Sequence, residues 1–266
     1  MKRTIFFTAA FLSFLGLMES RAQNMQNNRN MEKLKLTEEW DKTFPKSDKV
    51  DHSKVIFVNR FGITLAADLY VPKIAVADKF PAIAVSGPFG AVKEQSSGLY
   101  AQTLAERGFL TIAFDPSFTG ESSGQPRSVA SPDINTEDFS AAVDYLATRP
   151  DVDAERIGIL GICGWGGFAI NAAANDTRIK ATVASTMYDI SRANANGYFD
   201  AADNADARYR MRRELNAQRT KDYRTGTYPC TTMNPEPADD APQFMKDYYD
   251  YYKTVSYTHL RAHETC

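Results

Sequence analysis

One thiol in this sequence stands where covalent chemistry is possible. Cys163 lies in the run R-I-G-I-L-G-I-C-G-W-G-G at 156–167, after a short apolar stretch and among glycines. The apolar stretch is typical of a buried parallel strand, and residues 168–175 are typical of a helix. Glycines at such a turn tolerate strained backbone and let the helix pass close to the strand. A thiolate lifted clear of the sheet in this way is a nucleophile, so the run predicts that role for Cys163.

The run resembles the nucleophile elbow of the α/β-hydrolase superfamily, and Cys in the usual Ser position resembles its dienelactone-hydrolase branch. The usual pattern, G-x-S-x-G, has Gly two residues after the nucleophile, where this chain has Trp165 and then Gly166 and Gly167. The resemblance implies that Cys163 attacks an acyl carbon and that the Gly164 N–H holds the oxyanion. Two alternatives stay open: an inactive register centred on Trp165, and a buried structural thiol. The length of the predicted strand favours the register in which Cys163, and not Trp165, is the residue at the turn.

A second oxyanion donor is expected in a loop upstream of the elbow. Residues 80–86 form a short apolar strand-like run, and G-P-F-G-A-V-K-E-Q follows at 87–95. In α/β-hydrolases the loop after this strand supplies the second N–H. Pro88 has no N–H, so the resemblance assigns this donor by position to Phe89. An ordinary glycine loop is the alternative.

The order of elements predicts an α/β fold. A hairpin of strands at 54–59 and 64–70 precedes strand-like and helix-like segments that alternate from residue 80 to residue 185. That order predicts a mostly parallel sheet with helices on both faces, the α/β-hydrolase fold. Ligands of such sheets bind at the carboxyl ends of the strands, where Cys163, the Phe89 loop and the loop after Asp115 all fall. Asp115 is expected to structure its own loop, because its place in chain order is wrong for a triad acid.

The helices show weaker signals than the strands. Residues 97–107 have helical spacing, with Leu99 and Tyr100 on the predicted packed side, and residues 135–147 form a second amphipathic helix. Further helices are expected at 205–219 and 242–253. The tyrosines crowded at 248–252 are interpreted as a half-buried packing face.

The domain boundaries follow from composition. Residues 1–22 resemble a cleavable signal peptide, and 23–53 form a polar leader with a short helix predicted at 36–42. Residues 54–190 form the partial α/β-hydrolase core and 191–254 a helical cap region. Residues 255–266 resemble a translated sequencing adaptor and are expected to be a non-native tail. An uncleaved membrane anchor at the N-terminus is the alternative to the signal peptide.

The base and the acid of a catalytic triad are not found in the part of the sequence that precedes the tail at 255–266. The family order is nucleophile, acid, then His, but His259 and His263 both fall in the suspect tail, and His52 lies far upstream. We therefore expect the chain to be truncated at its C-terminal end, with the acid and the His beyond Thr254. Asp189 is a fallback acid. As written, the chain is expected to be aggregation-prone and inactive.

Composition and compartment limit the partners. The 266 residues carry a net charge of −2, which indicates no nucleic-acid partner. Export would place the protein in the periplasm or outside the cell, with no stable membrane anchor after cleavage, and there Cys163 and Cys230 could form a disulfide instead of a nucleophile. The resemblance implies no cofactor and a small acyl substrate: a carboxylic ester, a lactone or a related compound. A non-catalytic binding protein and a peptidase of the same fold are the alternatives.

Overall fold

A computed structural model describes residues 31–74, 78–229 and 236–253. Within these ranges no helix is long and apolar enough to span a bilayer. The elements, in chain order, are β1 (Val50–Val58), β2 (Thr64–Pro72), β3 (Phe80–Ser86), α1 (Ser96–Ala105), β4 (Leu110–Phe114), α2 (Pro132–Ala147), β5 (Val152–Ile162), α3 (Gly164–Asn175), β6 (Ile179–Ser185), α4 (Ile190–Asn196), a 3₁₀ turn (Tyr198–Asp200), α5 (Ala205–Thr225) and α6 (Gln243–Lys253).

The six strands form one sheet in the order β1-β2-β4-β3-β5-β6. β1, β2 and β4 pair antiparallel, whereas β4, β3, β5 and β6 run parallel. The hairpin is closed by Asn59, whose side-chain oxygen accepts the Phe61 and Ile63 N–H groups at 3.0 Å each. This arrangement confirms the predicted α/β-hydrolase fold.

Both faces of the parallel strands are buried, which is why these strands are continuous apolar runs in the sequence. In β5, Ile157 and Ile159 join one core with α2 and α3, and Leu160 and Ile162 join a second core with α1. Successive side chains of a strand point to opposite faces, so one apolar run supplies both cores.

The described part of the N-terminal leader, residues 31–53, packs on the fold, and β1 begins inside the predicted 23–53 segment. β1 begins at Val50, and the helix predicted at 36–42 is absent; the chain there has no regular structure. Phe44 is buried against Gly98 of α1, and the Trp40 indole N–H donates to the Phe44 carbonyl at 2.9 Å. The buried Phe44 and the partly buried Trp40 hold this part of the leader against the core.

Two predicted helices differ from the observed ones in face or start. In α1 the buried residues are mostly small, such as Gly98 and Ala101, while Leu99 and Tyr100 are exposed, so the predicted packed side was wrong. α2 starts at Pro132, three residues before the predicted start. Small residues face the sheet in α1 because the helix lies close to the strands.

β6 is the edge strand of the described sheet, and its outer side is open. Val183 of β6 is 52% exposed although it is apolar. A groove of about 310 Å³ runs beside it on the α1 face, between Leu104, Phe109 and the strand. Whether this open apolar edge makes the chain aggregate stays a prediction.

A buried ion cluster joins the leader, the hairpin and two loops. Its members carry carboxylates or ammonium groups that are almost completely shielded from solvent: Asp41, Lys42, Lys54, Asp68, Lys93, Glu94, Asp115 and Glu121. The carboxylates of Asp41, Glu94 and Glu121 converge as metal ligands do, but Lys54 Nζ lies within 3.5 Å of all three. The cluster thus supplies its own cations.

The acids of the cluster fall into two classes: the pKa of Glu94 is raised, whereas the pKa values of Glu121 and Asp68 are lowered. Burial raises the pKa of Glu94 to about 7, against the attraction of Lys93 and with the help of the charge on Asp115. Burial alone would also raise the pKa of Glu121, but Lys93 and Lys54 hold it down at about 2. The pKa of Asp68 is likewise lowered, against its burial, by the His52 hydrogen bond and the neighbouring lysines.

These shifts predict a pH-dependent stability with two windows. Glu94 keeps its proton in the folded state to about pH 7 and loses it near pH 4.5 when unfolded, so its contribution is complete below pH 4.5 and is lost as the pH rises through 7. Glu121 and Asp68 act oppositely: their contribution is present above pH 4.5 and is lost at lower pH.

We predict that Glu94→Gln removes only the stability contribution that is lost as the pH rises through 7. The free energy of unfolding of the unmodified protein, relative to the variant, should fall as the pH rises from 5 to 8. Urea unfolding at several pH values measures this difference, in which the titration of other groups largely cancels. A difference that stays constant across the range would contradict the assignment.

Candidate active site

Cys163 occupies the turn between β5 and α3 with strained backbone. Its φ is 57° and its ψ is −126°, a conformation that L-residues rarely adopt. Its N–H donates to the Ser185 carbonyl of β6 at 2.8 Å, and its carbonyl accepts the Gly166 N–H at 3.0 Å. The side chain is half-buried at the floor of a cleft. The structure therefore places Cys163, and not Trp165, at the elbow, with its side chain only partly buried.

The glycines around Cys163 are required by close packing. A Cβ on Gly161 would lie 2.7 Å from the Trp165 carbonyl carbon, and one on Gly164 would lie 2.6 Å from Ile190 Cδ1. At Gly161 the obstacle is backbone, so a side chain there would force strand and helix apart, whereas at Gly164 the obstacle is the end of the Ile190 side chain, which can move. The elbow can form only because strand and helix approach each other this closely.

Trp165 explains the departure from the G-x-S-x-G pattern. Its side chain is 2% exposed and packs against Phe168 and Phe89, with ring centroids 5.2 Å and 5.6 Å away. Among the described residues its indole N–H has no hydrogen-bond partner. The bulky residue is tolerated because it points below the elbow, into the core and against the upstream loop.

The loop that carries Phe89 lies directly beside the elbow. Gly87 has a φ of 102°, and a Cβ on it would lie 2.9 Å from Trp165 Cβ. The Phe89 Cβ lies 3.7 Å from the position a Gly164 Cβ would take. Within the described ranges neither the Phe89 N–H nor the Gly164 N–H donates to a protein acceptor. The structure thus brings together the two residues assigned to the oxyanion.

Below the site the Phe89 loop is anchored in the ion cluster. The Lys93 N–H donates to Asp115 Oδ1 at 2.8 Å, and Lys93 Nζ donates to Asp115 Oδ2 at 3.0 Å. Asp115 also accepts the Glu121 N–H at 2.9 Å. This confirms Asp115 as an acceptor that structures its loop, and shows that it also fixes the neighbouring loop.

The cleft above Cys163 has a volume of about 760 Å³. Its walls come from the elbow, the Phe89 loop, α4 with its following turn, and α6: Pro88, Ile162, Cys163, Thr186, Tyr188, Asp189, Arg192, Ala193, Gly197, Phe199, Asp200, Asp247, Tyr248, Tyr251 and Tyr252. This volume suits a small organic ligand. Sequence reasoning missed the tyrosines as cleft residues, although Tyr248, Tyr251 and Tyr252 have the spacing of one helix face.

The proposed triad partners are not assembled by the described residues. His52 on β1 pairs with Tyr70 on β2, and Tyr70 pairs with Thr111 on β4. Thr111 in turn pairs with Ile83 on β3, and Ile83 pairs with Gly158 on β5. His52 is therefore four strand spacings, about 19 Å, from β5, and its Nε2 lies 2.8 Å from buried Asp68. His52 is a hairpin histidine, as expected.

The fallback acid has a structural role. Asp189 lines the cleft, but its side chain caps α4 by accepting the Arg192 N–H at 3.0 Å. His259, His263 and Cys230 lie outside the described residues, so the tail and the possible disulfide to Cys163 stay untested.

Comparison with known proteins decides the family. Residues 62–260 match the sequence profile of Peptidase_S15, the X-Pro dipeptidyl-peptidase (S15 family). The chain belongs to the S15 family. The S15 family is part of the α/β-hydrolase superfamily, and this is the superfamily that the elbow predicted.

Among curated relatives of this S15 member, the uncharacterized protein PA2218 of Pseudomonas aeruginosa is 57% identical over 256 residues, which cover 95% of this chain and 68% of the relative. Its crystal structure superposes with a TM-score of 0.80, at 61% identity, over 84% of this chain and 69% of that one.

Two fungal proteins widen the comparison. The thiohydrolase aneE of Aspergillus aculeatus is 33% identical over 134 residues, 50% of this chain and 41% of the relative. The α/β-hydrolase GrgF of Penicillium sp. sh18 superposes with a TM-score of 0.60 at 22% identity, over 75% of this chain and 66% of that one, which shows the fold alone. The family match identifies the protein as a hydrolase.

We predict opposite outcomes for two glycines of the elbow. Gly161→Ala places its methyl against backbone and should destabilise the protein by about 1–3 kcal/mol or prevent folding. Gly167→Ala is the matched control, because its Cβ meets only the Tyr188 carbonyl at 3.9 Å and Ala favours a helix, so it should be neutral or stabilising by up to about 1 kcal/mol. Urea unfolding measures both; equal effects would contradict the packing described.

Proposed function

We propose that this S15-family hydrolase cleaves carboxylic esters, thioesters or lactones through an acyl-enzyme on Cys163. The observation that carries the proposal is the thiol held in strained backbone between β5 and α3, at the floor of the cleft. Backbone strain of this kind is kept where it serves a site, and here it presents a nucleophile. The thiohydrolase name of a relative supports thioesters as one substrate class.

The chemistry proceeds in two steps. The Cys163 thiolate attacks the acyl carbon, and the resulting oxyanion accepts hydrogen bonds from the Gly164 and Phe89 N–H groups. The intermediate collapses and leaves a thioester on Cys163, and the expelled alcohol or thiol takes up the proton that the Cys163 thiol released. Water then attacks that thioester, which releases the carboxylic acid and restores the thiol.

The cleft indicates an acyl group larger than acetyl. Pro88, Ile162 and Phe199 contribute apolar surface to the cleft that Cys163 lines, and Tyr248 and Tyr251 line the same cleft. Each methylene buried on such surface contributes about 0.8 kcal/mol to binding. Medium-length or aromatic acyl groups are therefore the preferred substrates.

A peptidase is the second candidate, since the matching family is described as X-Pro dipeptidyl-peptidase. Amide hydrolysis depends more strongly on a general acid, because the amine leaves only after protonation. Ester and thioester substrates have better leaving groups, so they rank first.

We predict that Cys163→Ala lowers kcat for hydrolysis of p-nitrophenyl hexanoate by about 10³-fold or more, because it removes the attacking atom. Tyr223→Phe is the control: Tyr223 is 91% exposed and does not line the cleft, so kcat should stay unchanged. The assay uses protein expressed from the complete reading frame, with an acyl thioester and an Xaa-Pro p-nitroanilide measured in parallel.

The three substrates separate the candidates. Higher kcat/KM on the anilide than on both acyl esters would favour the peptidase. Hydrolysis that is unchanged in Cys163→Ala would exclude the thiol mechanism, and the absence of turnover on all three would favour a non-catalytic binding protein.

Export is also part of the proposal. Residues 1–22 have the charged start, apolar run and small residues before the cut that a signal peptidase reads, and they lie outside the described residues. We predict that the mature protein begins at Gln23 in the periplasm or medium. N-terminal sequencing after cell fractionation tests this, with a variant lacking residues 2–22 as the retained control. Recovery of the intact N-terminus in the cytoplasm would contradict export.

A further inference from the structure

The cap helix α6 is hydrogen-bonded to the loop beside the nucleophile. The Tyr252 hydroxyl donates to the Phe89 carbonyl at 2.9 Å, across 163 residues of chain. Tyr252 is 7% exposed and packs on Ala91 of the same loop and edge-on against Tyr251, with ring centroids 4.9 Å apart. A buried tyrosine hydroxyl that donates to a backbone carbonyl restrains the position of that carbonyl.

Two further contacts attach α6 beside this loop. The Tyr251 hydroxyl lies 3.0 Å from Ser96 Oγ at the start of α1, and the Gln95 side-chain amide donates to the Tyr251 carbonyl at 3.4 Å. Tyr251 and Tyr252 also line the cleft. The helix that forms one wall of the cleft is therefore the helix that holds the loop.

Phe89 is held at two points, its ring and its carbonyl. The glycines on either side of it do not fix the loop, so both contacts are needed. Its ring is packed on Trp165 and its carbonyl is held by Tyr252. The next residue, Gly90, has a φ of 77°, and Gly87 has a φ of 102°, so glycines on both sides leave the loop intrinsically pliable. Fixing both the ring and the carbonyl of Phe89 also fixes the direction of its N–H.

We propose that Tyr252 is a positioning residue that holds the Phe89 N–H in register with the developing oxyanion. The inference rests on the proposed acyl-transfer function. Tyr252 does not touch the reacting atoms; it acts through the Phe89 carbonyl. Seating of α6 over the cleft and completion of the oxyanion site then become one event, so acyl transfer is fast only when the cap is in place.

The test compares two reactions of the same thiol. Acylation of Cys163 by p-nitrophenyl hexanoate develops an oxyanion, whereas alkylation by iodoacetamide displaces iodide and develops none. Tyr252→Phe removes only the hydroxyl and keeps the ring. In protein expressed from the complete reading frame, we expect acylation to slow by about 10-fold, less than the about 10²–10³-fold for loss of a whole donor.

The alkylation rate in Tyr252→Phe should stay within about 2-fold of the unmodified protein, and KM for the ester should change less than kcat. Tyr223→Phe is the matched control, because Tyr223 is a 91% exposed tyrosine of α5 outside the cleft. It should leave both rates unchanged.

Three outcomes would overturn the inference. Acylation within 2-fold of the unmodified protein shows that the hydrogen bond is not needed, and a parallel fall of acylation and alkylation shows a merely structural role. A change in KM without one in kcat assigns Tyr252 to substrate binding. Failure of the proposed function looks different: the unmodified protein would then show alkylation of Cys163 but no acylation.

Discussion

The backbone strain at Cys163 is the constraint on which the rest of this structure depends. A residue with a φ of 57° and a ψ of −126° costs about 1–3 kcal/mol, and it persists only where its surroundings leave no alternative. The surroundings here are the Ser185 carbonyl, which holds the Cys163 N–H, and the first turn of α3, which begins at once. Gly161 and Gly164 allow both by having no side chain.

The upstream loop is positioned from three sides, and each side uses a different force. Trp165 and Phe89 pack by their rings, the buried ion cluster holds the end of the loop through Lys93 and Asp115, and Tyr252 holds its middle by a hydrogen bond. The loop itself contains Gly87 and Gly90 and would not keep one shape alone. The leader and the cap, which lie at opposite ends of the described chain, therefore both act on the Phe89 loop.

Sequence reasoning reached the parts of the structure that are determined locally. The β3 run, the turn at Cys163 and the position of the Phe89 loop follow from apolar runs, glycines and chain order, and Asp115 was assigned its structural role by order alone. The same reasoning failed on the leader and on the packed side of α1, because Leu99 is apolar but the helix lies too close to the sheet for large side chains.

What could not be predicted is long-range pairing. The ion cluster joins Lys42, Lys93 and Glu121, residues with no pattern in common, and only the folded chain brings them together. The hydroxyl of Tyr252 reaches Phe89 from a helix whose tyrosines looked like an ordinary packing face. Contacts of this kind leave no periodicity, because they depend on how distant elements stack and not on neighbours in sequence.

The central claim is that the thiol at the elbow carries the acyl group during turnover. The most direct measurement is to mix the protein from the complete reading frame with an acyl thioester, quench in acid within the first turnover, and map the adduct by peptide mass spectrometry. The account predicts one acyl group, on the peptide that contains Cys163, formed before product is released. Hydrolysis without an adduct, or with the acyl group on another residue, would contradict it.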